Sequence, residues 1–278
     1  MKLEFYITRW GSDHLSLHDF CQKAKDSGYD GVEMLPPEDM KESDEMLAAL
    51  DGTGLKHICQ VGCWSPAGDY ETVTSEYKAM LQRAFEFHQR RDQKVEFITS
   101  QTGRDYFSFQ HNKELLAWTF EACEKHGLGI AHETHRGKFA FAASVTRPYI
   151  DQLEKLRILA DFSHWACVGE SFLEHEQDDL NAAIARVDHI HARVGFDEGP
   201  QVTDPRAPEW QHAVDHHMDW WQRIVNARKA NNEARTTFTS EFGPFPYLHR
   251  LPYTNQDIAN QWEINEWMMQ ELKQRITC

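Results

Sequence analysis

Gly129-Ile130-Ala131-His132-Glu133-Thr134-His135-Arg136-Gly137 is a short apolar run that ends abruptly in a cluster of ionisable side chains. Packing in a buried strand explains Ile130 and Ala131, but it does not require a glutamate, two histidines and an arginine in close succession. In barrels of parallel strands, functional side chains collect where the strands reach their carboxyl ends. The stretch therefore predicts a buried strand whose end faces a functional site.

Segments with strand-like and helix-like patterns alternate on both sides of this stretch. Eight segments are predicted to be strands: Leu3–Thr8, Asp30–Met34, Leu55–Val61, Lys94–Ser100, Leu128–Glu133, Ile158–Phe162, Val187–Val194 and Thr236–Glu241. Helical spacing of apolar residues follows each in turn: Leu15–Ser27, Asp39–Leu50, Tyr70–Gln89, Asn112–Lys125, Ser144–Lys155, Asp178–Ala185, Trp210–Asn231 and Gln256–Arg275. This alternation predicts an α/β fold, a closed (β/α)8 TIM barrel. No linker rich in glycine or serine divides the chain, so residues 1–278 are predicted to form a single domain.

The composition predicts a globular protein that binds neither a nucleic acid nor a membrane. With 41% hydrophobic and 26% charged residues, the chain can bury a sizeable core. Its formal net charge of −15 disfavours binding to a phosphate backbone. Charged residues interrupt the first segment where a secretory signal needs an apolar core, and no later run is long enough to span a bilayer. We therefore expect a cytoplasmic protein.

Four successive predicted strands end with a residue that can bind a metal ion. These residues are Glu133, Asp161, His191 and Glu241, separated by 28, 30 and 50 residues. Because a βα repeat of a barrel is about 30 residues long, the four side chains should lie at neighbouring strand ends and converge on one ion. Three carboxylates and one imidazole suit Mn²⁺, Mg²⁺ or Co²⁺, and Zn²⁺ would also bind. A single such residue at a strand end more often caps a helix or forms an ion pair. Four of them at successive strand ends favour a metal site.

The order of several short motifs resembles one known family. The motifs are Gly28-Tyr29-Asp30-Gly31-Val32-Glu33, Glu133 with Arg136, Asp161-Phe162-Ser163-His164, His189-Ile190-His191 and Ser240-Glu241. Over essentially its whole length, the chain resembles the xylose-isomerase-like TIM barrels. This sugar phosphate isomerase/epimerase superfamily includes ketose 3-epimerases, inosose dehydratases and AP endonucleases.

The resemblance implies a function for the four strand-end residues. In the family's ketose epimerases, the corresponding residues bind a divalent ion, and the two glutamates also move protons. Carried over, Glu133 and Glu241 would transfer protons through an enediolate in an isomerase or epimerase of a sugar, sugar derivative or cyclitol. The same carboxylates would also serve a metal-dependent lyase or dehydratase acting on a keto-sugar or keto-inositol. An AP-endonuclease-like phosphodiesterase and a barrel that binds sugars without turnover are less favoured alternatives.

Two residues near the strand ends are candidates for binding a polyhydroxylated small-molecule substrate. His164 resembles the family's contact to a substrate hydroxyl, and its alternative role is to position the carboxylates. Arg193 shares a strand face with His191 and could hold a substrate oxygen or a phosphate. Its alternative role is an ion pair with Asp197 or Glu198.

Further candidates flank the same predicted mouth of the barrel. His135 and Arg136 are expected to contact substrate, whereas alternation along the strand turns His132 away from Glu133. Glu33 is expected either to face the pocket across the barrel or to form an ion pair in the core.

Outside this mouth, the sequence suggests a lid and a helical surface. The long loop Gly195–Trp210 is expected to be either a lid or a solvated insertion. Three histidines are expected at the surface: His212, His216 and His217. Four tryptophans are expected to pack on the barrel or against a second subunit of a possible homo-oligomer: Trp220, Trp221, Trp262 and Trp267.

Overall fold

Eight parallel strands close into a barrel, as the alternation of segments predicts. The computed structural model describes residues 1–66, 68–92 and 94–278. Its strands are β1 (Lys2–Thr8), β2 (Gly31–Met34), β3 (Lys56–Gly62), β4 (Val95–Gln101), β5 (Ile130–Glu133), β6 (Ile158–Ala160), β7 (Val187–Ala192) and β8 (Arg235–Ser240). They pair in chain order, and β8 returns to pair with β1. The predicted (β/α)8 fold class is therefore confirmed.

Helices surround the barrel and begin at residues that suit a helix N-terminus. In the described ranges they are α1 (Leu17–Asp26), α2 (Met40–Thr53), α3 (Tyr70–Arg90), α4 (Phe109–Lys125), α5 (Ala143–Gln152), α6 (Phe162–Gly169), α7 (Gln177–Ile184), α8 (Gln211–Ala230) and α9 (Gln261–Arg275). Several begin after a side chain that accepts a hydrogen bond from the first turn: Ser16, Asp39, Asp69, Ser108 and Asn260. These caps satisfy backbone N–H groups that have no partner within the helix. None of the helices described is both long and apolar enough to cross a membrane.

The predicted strand Ile158–Phe162 is wrong at its carboxyl end. Strand β6 stops at Ala160, and the chain turns directly into the helix α6, which the sequence pattern did not indicate. Asp161 caps this helix by accepting a hydrogen bond from the backbone N–H of Ser163 at 3.2 Å. The error arose because a short apolar run does not distinguish a buried strand from a buried helix. His164 consequently lies in the first turn of a helix.

The expected surface position was wrong for His217, which is fully buried. Its Nδ1 donates to the carbonyl of Ala213 at 2.9 Å, and its Nε2 accepts from the backbone N–H of Gly195 at 3.3 Å. The imidazole thereby ties α8 to the segment that follows β7. Trp220 and Trp221 are also buried, so both side chains pack on the barrel, which is one of the two positions expected for them.

An ion-pair network around Glu4 lies at the amino ends of the barrel strands. The Glu4 carboxylate, 3% exposed, lies 2.7 Å from Lys56 Nζ, 3.0 Å from Lys2 Nζ and 3.1 Å from Arg235 Nη1. Burial alone would raise the pKa of Glu4, but hydrogen bonds from Lys56 and Lys2 and the charge of Arg235 hold the pKa at about 2. Since this end of a barrel usually serves stability, we assign Glu4 a structural role.

We expect Glu4→Gln to lower the free energy of unfolding by about 1–3 kcal/mol, because the substitution removes charged hydrogen bonds from a buried position. The pKa of Glu4 is lower in the folded chain, about 2, than its ordinary value of 4.5. Its contribution is therefore complete above pH 4.5 and is lost as the pH falls towards 2. Urea unfolding of both proteins across this pH range measures the difference. Glu124→Gln, at an exposed ion pair, is the control and should change stability little; equal losses in both variants would contradict the assignment.

Candidate metal centre

The four predicted ligands converge where β5, β6, β7 and β8 reach the mouth of the barrel. Glu133, Asp161, His191 and Glu241 are all buried, and one donor atom of each lies within 4.8 Å of the others. His191 Nδ1 is 2.7 Å from Glu241 Oε2 and 3.8 Å from Glu133 Oε1. Donor atoms that share one divalent ion at about 2.1 Å lie roughly 3 Å apart. The spacing is therefore suited to a single ion.

Three of these four residues present a donor atom without a hydrogen bond. Within the described residues, Glu133 Oε1, His191 Nδ1 and Glu241 Oε2 are buried and have no hydrogen-bond partner. The short contact between His191 and Glu241 lacks the angles of a hydrogen bond. A buried polar atom left in this way costs about 1–3 kcal/mol. A bound cation would satisfy all three atoms, so the side chains fit a metal site.

Glu33 fixes the orientation of the His191 ring from inside the barrel. His191 Nε2 is 3.1 Å from each Glu33 oxygen, and Glu33 also accepts hydrogen bonds from Thr99 and Thr239. When Nε2 donates its proton to Glu33, Nδ1 faces the other candidate ligands. Glu33 is fully buried with both oxygens bonded to protein groups, and it also lines the cavity, so it meets both of the expectations for it.

The environment of Glu133 suits a group that gains and loses a proton near neutral pH. Burial raises the pKa of Glu133 to about 7, and the charge of Glu241 adds to the effect, although His191 opposes it. Burial also raises the pKa of Asp161, against the influence of Arg193. Carboxyl groups with pKa values near the working pH are effective proton carriers.

Arg193 turns inward and contacts the candidate ligands. The expected alternative pairing with Asp197 or Glu198 is not formed. Its Nη2 instead donates to Asp161 Oδ2 and lies 3.6 Å from Glu241 Oε2. The second oxygen of Asp161 accepts hydrogen bonds from Ser163. Asp161 therefore has fewer free lone pairs for a metal ion than the other candidate ligands.

The contact with Arg193 determines where His164 carries its proton. Arg193 Nη2 is 2.8 Å from His164 Nε2, and an arginine can only donate, so Nε2 accepts and the proton lies on Nδ1. Burial, together with the neighbouring His135 and Arg193, lowers the pKa of His164 well below its ordinary value. His164 is therefore neutral, and its buried Nδ1 has no hydrogen-bond partner among the described residues.

A cavity of about 750 Å³ opens at this mouth of the barrel. Several predicted site residues line it: Glu33, His135, Arg136, Arg193 and Glu241. The others are buried outside its lining: Glu133, Asp161, His164 and His191. His132 turns away from Glu133 as expected, and its Nδ1 lies 2.7 Å from Thr102 Oγ1.

Several other side chains of the cavity were not predicted from the sequence. They include Trp10, Trp64, Arg104, Lys138 and Tyr247, each in a loop that follows a strand. Tyr247 is the most central, because its ring centre lies 4.8 Å from the guanidinium carbon of Arg193 and 5.2 Å from that of Arg136. Aromatic residues shortly after a strand were the available signal, since they have no core position to fill there.

The long loop Gly195–Trp210 contributes no residue to the cavity lining. Gln201, 3% exposed, donates to the carbonyl of Gly243 at 3.2 Å and accepts from its N–H at 2.7 Å. Val202 N–H also donates to the Val194 carbonyl at 2.9 Å. These bonds hold the loop against the segment after β8, which does not match the expectation of a lid.

Solved structures share this architecture at low sequence identity. The apo form of 3-keto-D-glucoside 4-epimerase YcjR from E. coli aligns over 98% of this chain and 100% of its own, with 14% identity and a TM-score of 0.63. The probable 3-DHS dehydratase AsbF from Bacillus anthracis aligns over 97% and 98%, with 14% identity and a TM-score of 0.59. A xylose isomerase-like TIM barrel protein from Mycobacterium smegmatis in complex with magnesium aligns over 99% and 97%, with 8% identity and a TM-score of 0.63. At these identities the likeness shows the fold alone.

Sequence similarity identifies the family. No curated protein matches the sequence. Residues 21–227, well over half of the chain, match the family described as xylose isomerase-like TIM barrel. The expectation from the sequence motifs is confirmed, and the chain belongs to the xylose isomerase-like TIM-barrel family.

Proposed function

We propose that this protein is a divalent-metal-dependent isomerase or epimerase of a sugar, sugar derivative or cyclitol. The observation that carries the proposal is the set of unbonded, buried donor atoms on Glu133, His191 and Glu241, with Asp161 beside them. The set adjoins a cavity large enough for a small polyhydroxylated molecule. Family membership supports the proposal, because solved proteins of this fold include an epimerase and a probable dehydratase.

Glu133, Asp161, His191 and Glu241 would hold the ion. Their mostly oxygen donors favour Mn²⁺, Mg²⁺ or Co²⁺, with Zn²⁺ as a further candidate. When bound, the ion supplies positive charge that stabilises negative charge developing on a substrate oxygen. The protein contributes one nearby cation of its own, since Arg193 contacts Asp161 and lies 3.6 Å from Glu241.

The two glutamates would move the proton. One carboxylate removes the proton from the carbon next to a carbonyl, which gives an enediolate, and the other carboxylate returns a proton. Glu241 lines the cavity, and Glu133 lies beside it among the four candidate ligands. Return to the opposite face of the same carbon gives an epimer, and return to the neighbouring carbon gives an isomer.

A lyase or dehydratase acting on a keto-sugar or keto-inositol is the second candidate. It begins with the same removal of a proton and continues with loss of a hydroxyl group from the next carbon. The solved probable dehydratase of the same fold favours its inclusion, and the hydroxyl would leave as water after Glu133 or Glu241 returns a proton to it. Phosphodiester cleavage fits less well with a formal net charge of −15.

We expect the Mn²⁺-loaded protein to exchange the proton next to the carbonyl of a keto-sugar or keto-inositol with solvent D₂O. Glu133→Gln and Glu241→Gln should each slow this exchange by at least about 100-fold, because general acid–base catalysis contributes rates of this order. Proton NMR of a substrate panel measures the exchange and separates an isomerised product from a dehydrated one. No exchange with any member of the panel would count against both candidates.

We expect Glu33→Gln to weaken Mn²⁺ binding about 10–100-fold, because the substitution removes the carboxylate that orients His191. Titration of EDTA-treated protein with Mn²⁺, followed by electron paramagnetic resonance, measures the affinity. Glu42→Gln makes the same change elsewhere in the cavity lining and should leave the affinity unchanged. If both variants bound Mn²⁺ as tightly as the unmodified protein, the orienting role of Glu33 would be refuted.

A further inference from the structure

One wall of the cavity carries three cations without a carboxylate partner. Arg104 follows β4, and Arg136 and Lys138 follow β5; all three line the cavity. Among the residues that the structure describes, none of the three has a carboxylate oxygen within 4.0 Å of its side-chain nitrogens. The chain has 44 acidic and 29 basic residues, so partners are abundant elsewhere. Cations left unpaired at a cavity in such a chain point to an anion that comes from outside.

Lys138 is the most enclosed of the three cations. It is 3% exposed, and its ammonium group donates to the backbone carbonyl of Cys63. An ammonium group has three donors, so two remain for a ligand. Burial and the neighbouring charge of Arg104 lower the pKa of Lys138 to about 8. An anion bound beside Lys138 would offset both effects.

Arg104 is held next to Lys138 by the same loop. Its Nη2 donates to the backbone carbonyl of Ser65, two residues beyond the carbonyl that binds Lys138. Its buried Nε has no hydrogen-bond partner among the described residues. Asn112 fixes the Arg104 backbone by donating to its carbonyl at 2.9 Å and accepting from its N–H at 3.2 Å. The two cations are therefore positioned before any ligand binds.

Arg136 connects this wall to the candidate metal centre. It is exposed at the mouth of the cavity, and its guanidinium carbon lies 5.2 Å from the ring centre of Tyr247. The same ring lies 4.8 Å from Arg193, which contacts Asp161. The Tyr247 ring thus contacts both Arg136 and Arg193, and Arg193 lies 3.6 Å from Glu241.

Three acidic residues of the cavity lining lie on a different part of its rim, whereas Glu33 and Glu241 lie beside the candidate metal centre. Asp13 follows β1, while Glu38 and Glu42 follow β2. In the closed strand order, β1 is separated from β5 by four positions in either direction, so it lies across the barrel. Glu42 also has a nearer cation, since Arg9 Nη1 lies 4.0 Å from its carboxylate. These acids consequently leave the three cations free to bind a ligand.

We infer that Arg104, Arg136 and Lys138 form a binding site for an anionic group of the substrate, a carboxylate or a phosphate. The substrate class is then an acidic sugar or cyclitol derivative, or a sugar phosphate. The inference depends on the proposed function only for where the reacting carbon lies, because the cation wall is complete without a metal ion.

Binding of simple anions to EDTA-treated protein tests this inference. The thermal unfolding midpoint is measured at constant ionic strength while inorganic phosphate, D-glucuronate or D-glucose is added. We expect a saturable rise of about 3–5 °C at a tenfold excess over the dissociation constant with at least one of the two anions, and none with glucose. A response to phosphate alone assigns a phosphate ester, and a response to glucuronate alone assigns a carboxylate.

Single substitutions locate the site on the protein. Lys138→Met and Arg104→Met should each weaken anion binding at least about tenfold, which is the effect of losing one charged hydrogen bond. Lys155→Met removes an equal charge from the exposed outer surface, where Lys155 pairs with Glu124 at 2.8 Å, and should bind the anion normally. The inference is overturned if neither anion stabilises the unmodified protein, if glucose stabilises it equally, or if both cavity variants bind as the unmodified protein does.

This test is independent of turnover. If metal-dependent proton exchange is absent but the anion still binds, the proposed function fails and the anion site stands. If exchange occurs on neutral sugars and no anion binds, the anion site fails and the proposed function stands.

Discussion

The hydrogen bonds between β8 and β1 close the sheet, and the contacts that cross the barrel interior at the candidate site depend on this closure. Glu33 on β2 reaches His191 on β7 and Thr239 on β8 through the barrel interior. An open sheet of the same strands would separate β2 from β7 by several strand spacings of about 5 Å each. Closure therefore turns residues far apart in the sequence into one bonded group.

The two ends of the barrel differ in how many cations lie near their buried carboxylates. At the amino ends of the strands, Glu4 is matched by Lys2, Lys56 and Arg235, and its pKa is low. At the carboxyl ends, several carboxylates share few cations, and the pKa of Glu133 rises to about 7. Full compensation stabilises a fold, whereas partial compensation leaves groups ready to bind a cation or a proton.

The convergence of Glu133, Asp161, His191 and Glu241 could be predicted from the sequence, because the barrel repeat converts spacing along the chain into neighbouring positions in space. Which donor atoms lack a hydrogen bond could not be predicted from the sequence, because this depends on which side chains already donate to each carboxylate. Arg193 shows the same limit. Its long side chain can reach partners in several directions, and only packing decides that it turns towards Asp161.

Loop residues were harder to predict than strand residues for a related reason. Lys138 follows the strand by five residues, and no periodic pattern fixes its direction. Gly137 adopts a left-handed conformation with φ of 74°, which the turn requires before Lys138 can be buried. Similarly, nothing in the spacing of His217 shows that Gly195 will approach closely enough to donate a hydrogen bond to it.

The uneven charge around the rim gives the cavity a direction. A molecule whose charged end bound Arg104 and Lys138 would have its other end directed away from this wall. Contacts of its oxygens at the candidate metal centre would then decide which face of the reacting carbon meets Glu241, which lines the cavity. Stereochemical choice would be made when the molecule binds, before any proton moves.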